Sequence, residues 1–247
     1  MTPDIELARV PSGSVTLRDA RRRAQRTVEL EAFEIGVFAV TQELVAELIG
    51  ESAAHPRRPA AHVSWQRAIR LCNAASEWEG LDSAYTFDGE QVTWHVDADG
   101  YRLPTEAEWE FACRAGSPAA HYGPLADVAW TAADNLVAPR DVGGKLPNLF
   151  GTFDMLGNMW EWCWDLFDVP RDRDARVIRG GSFATTSQAA SAHTRSGARP
   201  RQAQDDIGVR FARGAFDGPD AQGWSAKRDR INEIESDDGI LTGWVSL

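Results

Sequence analysis

The sequence predicts an irregular α+β fold, low in regular secondary structure, and three observations carry that expectation. Ten tryptophans are many for a chain of 247 residues. Twenty-one glycines and twelve prolines cut the chain into short pieces, because these residues punctuate helices and strands. The periodic stretches between them are brief, some alternating like strands and some spaced like helices. A hydrophobic fraction of 43% with 26% charged residues is enough to bury a sizeable core. No internal repeat or low-complexity run is visible.

The elements follow in chain order. The basic run from Arg18 to Arg26 reads as a solvated loop or short helix. Residues 28–40 alternate well enough for one strand or a bent pair. Thr41 is placed to cap a short helix carrying Leu44, Val45 and Leu48, closed by Gly50. Ser64 caps the next, where Trp65, Ala68, Ile69, Cys72 and Ala75 form an apolar face and Gly80 stops the run. Residues 84–96 read as a hairpin turning at Asp88-Gly89. Thr105 and Glu108 make a capping box, each satisfying a backbone N–H that the helix start would orphan, and Gly116 is expected to end that helix. Residues 117–150 are rich in turns, and so long an irregular segment needs something specific to hold it, a cation being one candidate. Val177–Phe183 reads as a strand ending in a Gly-Gly turn, and Ile207–Ala212 as a last core strand. One domain over 1–213 with an appendage over 214–247 is expected, the latter with a charged helix around 224–236 and a docking end from Ile240 to Val245.

The net charge of −11 argues against nucleic-acid binding by phosphate neutralisation. The stretch Met1–Glu6 has no basic start followed by an apolar core, so a secretory signal is not expected. No apolar run approaches the roughly 18 residues a membrane span needs. Cys72, Cys113 and Cys163 cannot all pair and share no metal-ligand spacing, which points to a reducing, cytoplasmic location. The acidic pairs Glu106/Glu110 and Asp205/Asp206 are expected to be solvated in so acidic a chain.

Four segments carry a family signature. Tyr101-Arg102-Leu103-Pro104-Thr105-Glu106-Ala107-Glu108-Trp109-Glu110, the run from Phe150 to Trp162, Arg179-Gly180-Gly181-Ser182-Phe183 and Gly208-Val209-Arg210-Phe211-Ala212 resemble, in order and spacing, the formylglycine-generating enzyme (sulfatase-modifying factor) family. The resemblance covers roughly residues 28–213 and implies a C-type-lectin-like fold stabilised by calcium. Its relatives include copper-dependent formylglycine generators, iron-dependent sulfoxide synthases and lectin-like variable binding proteins.

The resemblance breaks at one place. The family's two copper-binding thiols would fall at Thr185 and Ala190, and copper(I) prefers sulfur. No cysteine follows Ser182. The three cysteines present read as packing residues, so copper is not expected. The five histidines, His55, His62, His95, His121 and His193, offer no helical pair, so iron is not expected either. Calcium ligands, carried over by resemblance, fall on Asp154 and Glu161 through side chains and on Gly157 and Met159 through carbonyls. A second site falls on Asn135 and the carbonyl of Leu136, with Asp141 and Gly143 as further candidates. Calcium fits such oxygen-rich loops; the other reading has Asp154 capping a turn and Glu161 paired with an arginine. Two functional readings follow. One is a protein that oxidises no sulfatase cysteine and binds a small molecule, peptide or protein in the former substrate groove, lined by Ser182, Thr185, Thr186, Ser187, Gln188, His193 and Arg195. The other is an enzyme of a different reaction, a non-haem metal enzyme or other oxidoreductase, with a rebuilt site on this scaffold.

Overall fold

The computed structural model describes residues 5–19, 24–168 and 172–214. The predicted tail helix around 224–236, the docking end at Ile240–Val245 and Arg21 to Arg23 lie outside the described residues.

Strands β1 (Leu7–Val10), β2 (Gly13–Asp19), β3 (Ala24–Leu30) and β4 (Phe33–Gly36) open the fold. The alternation over 28–40 is thus a bent pair, with the bend between Leu30 and Phe33. Arg18 and Arg26 pair with Gln25 and Leu17 across β2 and β3, so the basic run enters a strand pair instead of a loop or helix. Helices α1 (Gln42–Ile49) and α2 (Trp65–Glu79) start where Thr41 and Ser64 accept N–H bonds from Leu44 and Arg67. They stop where Gly50 and Gly80 turn left-handed, a conformation glycine adopts without a Cβ clash. The hairpin of β5 (Tyr85–Asp88) and β6 (Gln91–Trp94) turns at Gly89-Glu90, one residue later than expected, because Asp88 still pairs with Gln91.

Helix α3 (Glu106–Arg114) begins with both halves of the Thr105–Glu108 capping box. Its end falls on Ala115, left-handed at φ 43°, one residue before Gly116. A short α4 (Leu125–Val128) and two-residue strands β7 (Ala129–Trp130) and β8 (Leu156–Gly157) follow. Two amides hold the long irregular segment here. Asn148 donates to the carbonyls of Ala112 (2.7 Å) and Cys113 (3.2 Å) and accepts from Phe150 and Thr152. Asn158 accepts from the Arg140 N–H and donates to the Arg140 carbonyl.

The second half supplies β9 (Trp160–Asp168), β10 (Asp172–Arg179), β11 (Arg195–Ala198), β12 (Ile207–Gly208) and β13 (Ala212–Gly214). Four of these form a sheet in the order β11-β10-β9-β12, while β13 leaves to join β1 and β4. The expected last strand is therefore split. Arg210 lies between its halves, fully buried, and its guanidinium donates to the carbonyls of Gly36, Val37 and Phe153. The tryptophans account for much of the core: Trp65, Trp94 and Trp164 cluster with Tyr85 at ring separations of 5.0 to 6.2 Å. Trp65 and Trp162 place their N–H groups on the carbonyls of Cys163 and Val63, so both rings are buried without an orphaned donor.

Glu106, Glu108 and Glu110 are all buried on α3, which corrects the expectation that Glu106 and Glu110 are solvated. Glu106 takes a two-bond clasp from Arg195, Glu108 one from Arg102, and Glu110 accepts from Arg179 and Arg114. Burial pushes the Glu110 carboxyl up, but Arg179, a His193 hydrogen bond and Arg114 outweigh it and hold it down at about 2. A carboxyl lowered on folding stabilises the fold above its unfolded pKa, and that contribution fades as pH falls toward the folded value. We expect stability to drop on the order of 3 kcal/mol between about pH 4.5 and pH 2 from this group. Chemical denaturation across that range checks it: Glu110→Gln should flatten this part of the profile, and an unchanged slope would refute the assignment.

Candidate functional site

The site is built on the turn that follows β10. Gly180 and Gly181 stand at φ 91° and 81°, and a Cβ on Gly180 would lie 2.7 Å from the Met155 carbonyl, so only glycine fits there. Ser182 then closes a small ring: its N–H donates to Thr185 Oγ1 (2.8 Å) and its carbonyl accepts the Thr185 N–H (2.9 Å). Ser182 Oγ donates to Asp206 Oδ2 (2.8 Å). The Thr185 carbonyl accepts from Ala132, and the Ala190 carbonyl bonds His121 Nε2.

These contacts bring together part of the expected groove. Ser182 is buried, Thr185 and Ser187 are half-buried, and Thr186 and Gln188 are exposed. Ser187 Oγ lies 3.4 Å from Thr131 Oγ1, within the same loop cluster. His193 sits elsewhere, against Arg114 and 3.6 Å from Glu110. Arg195 corrects the expectation more sharply: its side chain is 0% exposed and spent on Glu106, so it lines no solvent-facing groove. Beside the turn, Phe183 instead forms one wall of a cavity of about 240 Å³. Val137, Ala138 and Pro139 add apolar surface, and Gln42, Arg58, His62 and Asp205 add polar groups. Sequence reasoning missed this cavity, and it read Asp206 as solvated where the structure half-buries it and places it on Ser182 Oγ.

Thr185 and Ala190 carry no thiol, and both have other work. Thr185 closes the turn, while Ala190 is fully buried. Cys72, Cys113 and Cys163 are each fully buried, and burial pushes every thiol well above its usual pKa. A thiolate, the copper ligand and nucleophile, is strongly disfavoured in such surroundings. Among the described residues, no cluster of three His, Cys, Asp or Glu side chains is arranged to hold a metal.

The donor set implied for calcium fits in part. Asp154, 2% exposed and left-handed at φ 54°, accepts the Gly143 N–H on Oδ2 (2.8 Å). Its other oxygen, Oδ1, is buried with no hydrogen-bond partner. Burial raises the Asp154 carboxyl pKa, against the lowering by the Gly143 N–H and Arg210. A half-satisfied buried carboxylate of this kind fits a cation. Glu161 does not: Arg210 and the Trp109 indole N–H take both its oxygens, at 2.7 to 3.1 Å. The expected side-chain ligand is thus an arginine's partner. At the second position, contacts lead apart. Asn135 is exposed and leans on the Ala133 carbonyl, Asp141 lies 4.0 Å from Arg58, and Gly143 serves Asp154.

Short strands, a buried Trp–Glu–Arg centre and a Gly-Gly turn define a C-type-lectin-like domain of the formylglycine-generating type. The chain belongs to the sulfatase-modifying factor enzyme 1-like family, whose pattern matches residues 3–215. Chaperone protein LppX of Paenibacillus barcinonensis is 30% identical over 205 residues, covering 66% of this chain and 73% of that one. The inactive C-alpha-formylglycine-generating enzyme 2 of Bos taurus is 32% identical over 177 residues, covering 64% of this chain and 50% of its own. The chain therefore spans about half the length of that relative. Among solved structures, Treponema denticola variable protein 1 superposes with a TM-score of 0.77 at 26% identity, covering 83% of this chain and 94% of its own. CarF gives 0.72 at 25% identity, covering 87% and 100%.

The Thr185 hydroxyl is testable as a structural group. Thr185→Val leaves the Ser182 N–H without its acceptor and should cost about 1–3 kcal/mol in urea unfolding, as unsatisfied buried donors do. Thr185→Ser keeps the acceptor and should cost less than half of that. Equal losses in the two variants would show that the hydroxyl is not what closes the turn.

Proposed function

We propose that this protein is a family member that binds and does not oxidise sulfatase cysteines. The former substrate region around Ser182 and Phe183 then receives a ligand, peptide or partner protein. One observation carries the reading. The two positions that hold the family's thiols carry a turn-closing threonine and a buried alanine, while every cysteine in the chain lies in apolar packing. Relatives named a chaperone and an inactive formylglycine-generating enzyme support it. The cavity beside Phe183 adds an apolar wall with a few polar groups opposite, the mix that small recognition sites favour. Incubating the protein with copper and a sulfatase-type cysteine peptide in air should give no aldehyde product by mass spectrometry. Copper-dependent turnover above a metal-free control would overturn this reading.

The same proposal includes a structural calcium ion at Asp154, held by its carboxylate with the carbonyls of Gly157 and Met159. The ion would supply the charge that Asp154 Oδ1 lacks, and Glu161 stays with Arg210. With Arg210 cancelling one of the two acids, affinity should be modest, on the order of 10⁻⁴–10⁻³ M. Calcium at tenfold above its Kd should then raise the melting temperature by about 3–5 °C. Asp154→Gly, which suits the left-handed backbone, should abolish that rise. Equal rises in both proteins would place the ion elsewhere.

A further inference from the structure

The cavity beside Phe183, about 240 Å³, is smaller than the roughly 300–1,000 Å³ of sites for drug-sized ligands. One small molecule would touch all its walls, and its polar groups divide by kind. Arg58 and Gln42 stand together, because the Gln42 N–H donates to the Arg58 carbonyl (2.9 Å). Gln42 Oε1 already accepts the His55 N–H (3.0 Å), which leaves its NH₂ donors for a ligand. Arg58 reaches Asp141 only at 4.0 Å between partly exposed side chains, a contact that a ligand displaces easily. His62 and Asp205 form the other group, since the His62 N–H donates to the carbonyl of Gln204 (2.9 Å), the neighbour of Asp205. His62 Nδ1 faces the Ala203 carbonyl at 3.4 Å, which favours the tautomer protonated there and leaves Nε2 an acceptor. Asp205 is exposed, and among the described residues no ion pair engages it. His62 also holds a left-handed backbone at φ 54°, costly for a residue other than glycine and concentrated at ligand clamps. Phe183, Val137 and Pro139 supply the apolar wall.

We infer that this cavity binds a free apolar α-amino acid as its zwitterion. The carboxylate meets Arg58 and the Gln42 amide, and the ammonium meets Asp205 and His62 Nε2. The side chain lies on Phe183, Val137 and Pro139. Each charged partner has a neutral neighbour of the same hydrogen-bonding sense, so the donors suit a carboxylate and the acceptors an ammonium. A singly charged ligand would leave either Arg58 or Asp205 unmatched. The inference rests on the binding reading proposed above and narrows its ligand to a small molecule.

Titration calorimetry of the full chain with L-leucine tests it. One saturable site is expected, with glycine at least about tenfold weaker because it lacks the apolar contact. L-Leucinamide, without the carboxylate, and N-acetyl-L-leucine, without the ammonium, should each bind at least about tenfold more weakly than leucine. Two variants assign the ends. Arg58→Gln should weaken leucine and leave leucinamide within about twofold, and Asp205→Asn should weaken leucine and leave N-acetyl-leucine within about twofold. No saturable binding of leucine up to about 10 mM would overturn the inference. So would equal losses for leucine and both analogues in folded variants, or tighter binding of Leu-Gly-Gly, whose two charges lie too far apart. The copper assay is scored separately: aldehyde product marks failure of the binding reading, and a leucine titration without charge dependence marks failure of this inference alone.

Discussion

The fold depends on burying glutamates, and each must meet an arginine, in three of four cases one from a distant part of the chain. Helix α3 carries three of them into the interior, and β9 carries a fourth, Glu161. A buried carboxylate is costly alone, so each pairing fixes a distance between elements. Arg179 at the end of β10 reaches Glu110 and lies 3.2 Å from Glu106. Arg195 on β11 clasps Glu106, and Arg102, just before α3, clasps Glu108. Arg210, between β12 and β13, clasps Glu161 and three backbone carbonyls. Few long strands or helices exist to set these relations, so the ion pairs do it.

The site inherits its shape from this network. Arg179 stands immediately before Gly180, so the pair that anchors α3 also fixes where the turn begins. The turn then closes through its own backbone and Thr185, with Asp206 holding Ser182. No part of that frame requires a thiol. Residue 185 is a threonine whose hydroxyl closes the turn, and residue 190 is a fully buried alanine. The Glu161–Arg210 clasp likewise takes one of two neighbouring buried acids, leaving Asp154 as the incompletely satisfied one.

Much of this was legible in the sequence where the signal is local. The caps at Thr41, Ser64 and Thr105 announce their helices because each needs only a side chain within three residues. The Gly-Gly turn was legible for the same reason. Long-range partners were not. Glu106 and Glu110 look like surface acids, since nothing near them in sequence shows that Arg195 and Arg179 lie across the core. Arg195 itself reads as a polar groove residue until its partner is seen. Likewise, the sequence offered Asp154 and Glu161 as equals, and only Arg210 and Trp109 separate them.

The central claim is that these buried pairs, rather than the turn's side chains, hold the domain together. Equilibrium urea unfolding of Arg179→Met measures it most directly, because the change keeps side-chain bulk and removes the charge shared by two buried glutamates. The account predicts a loss of about 3–5 kcal/mol, as when one partner of a buried pair is removed. A loss below about 1 kcal/mol, the scale of a surface pair, would contradict it.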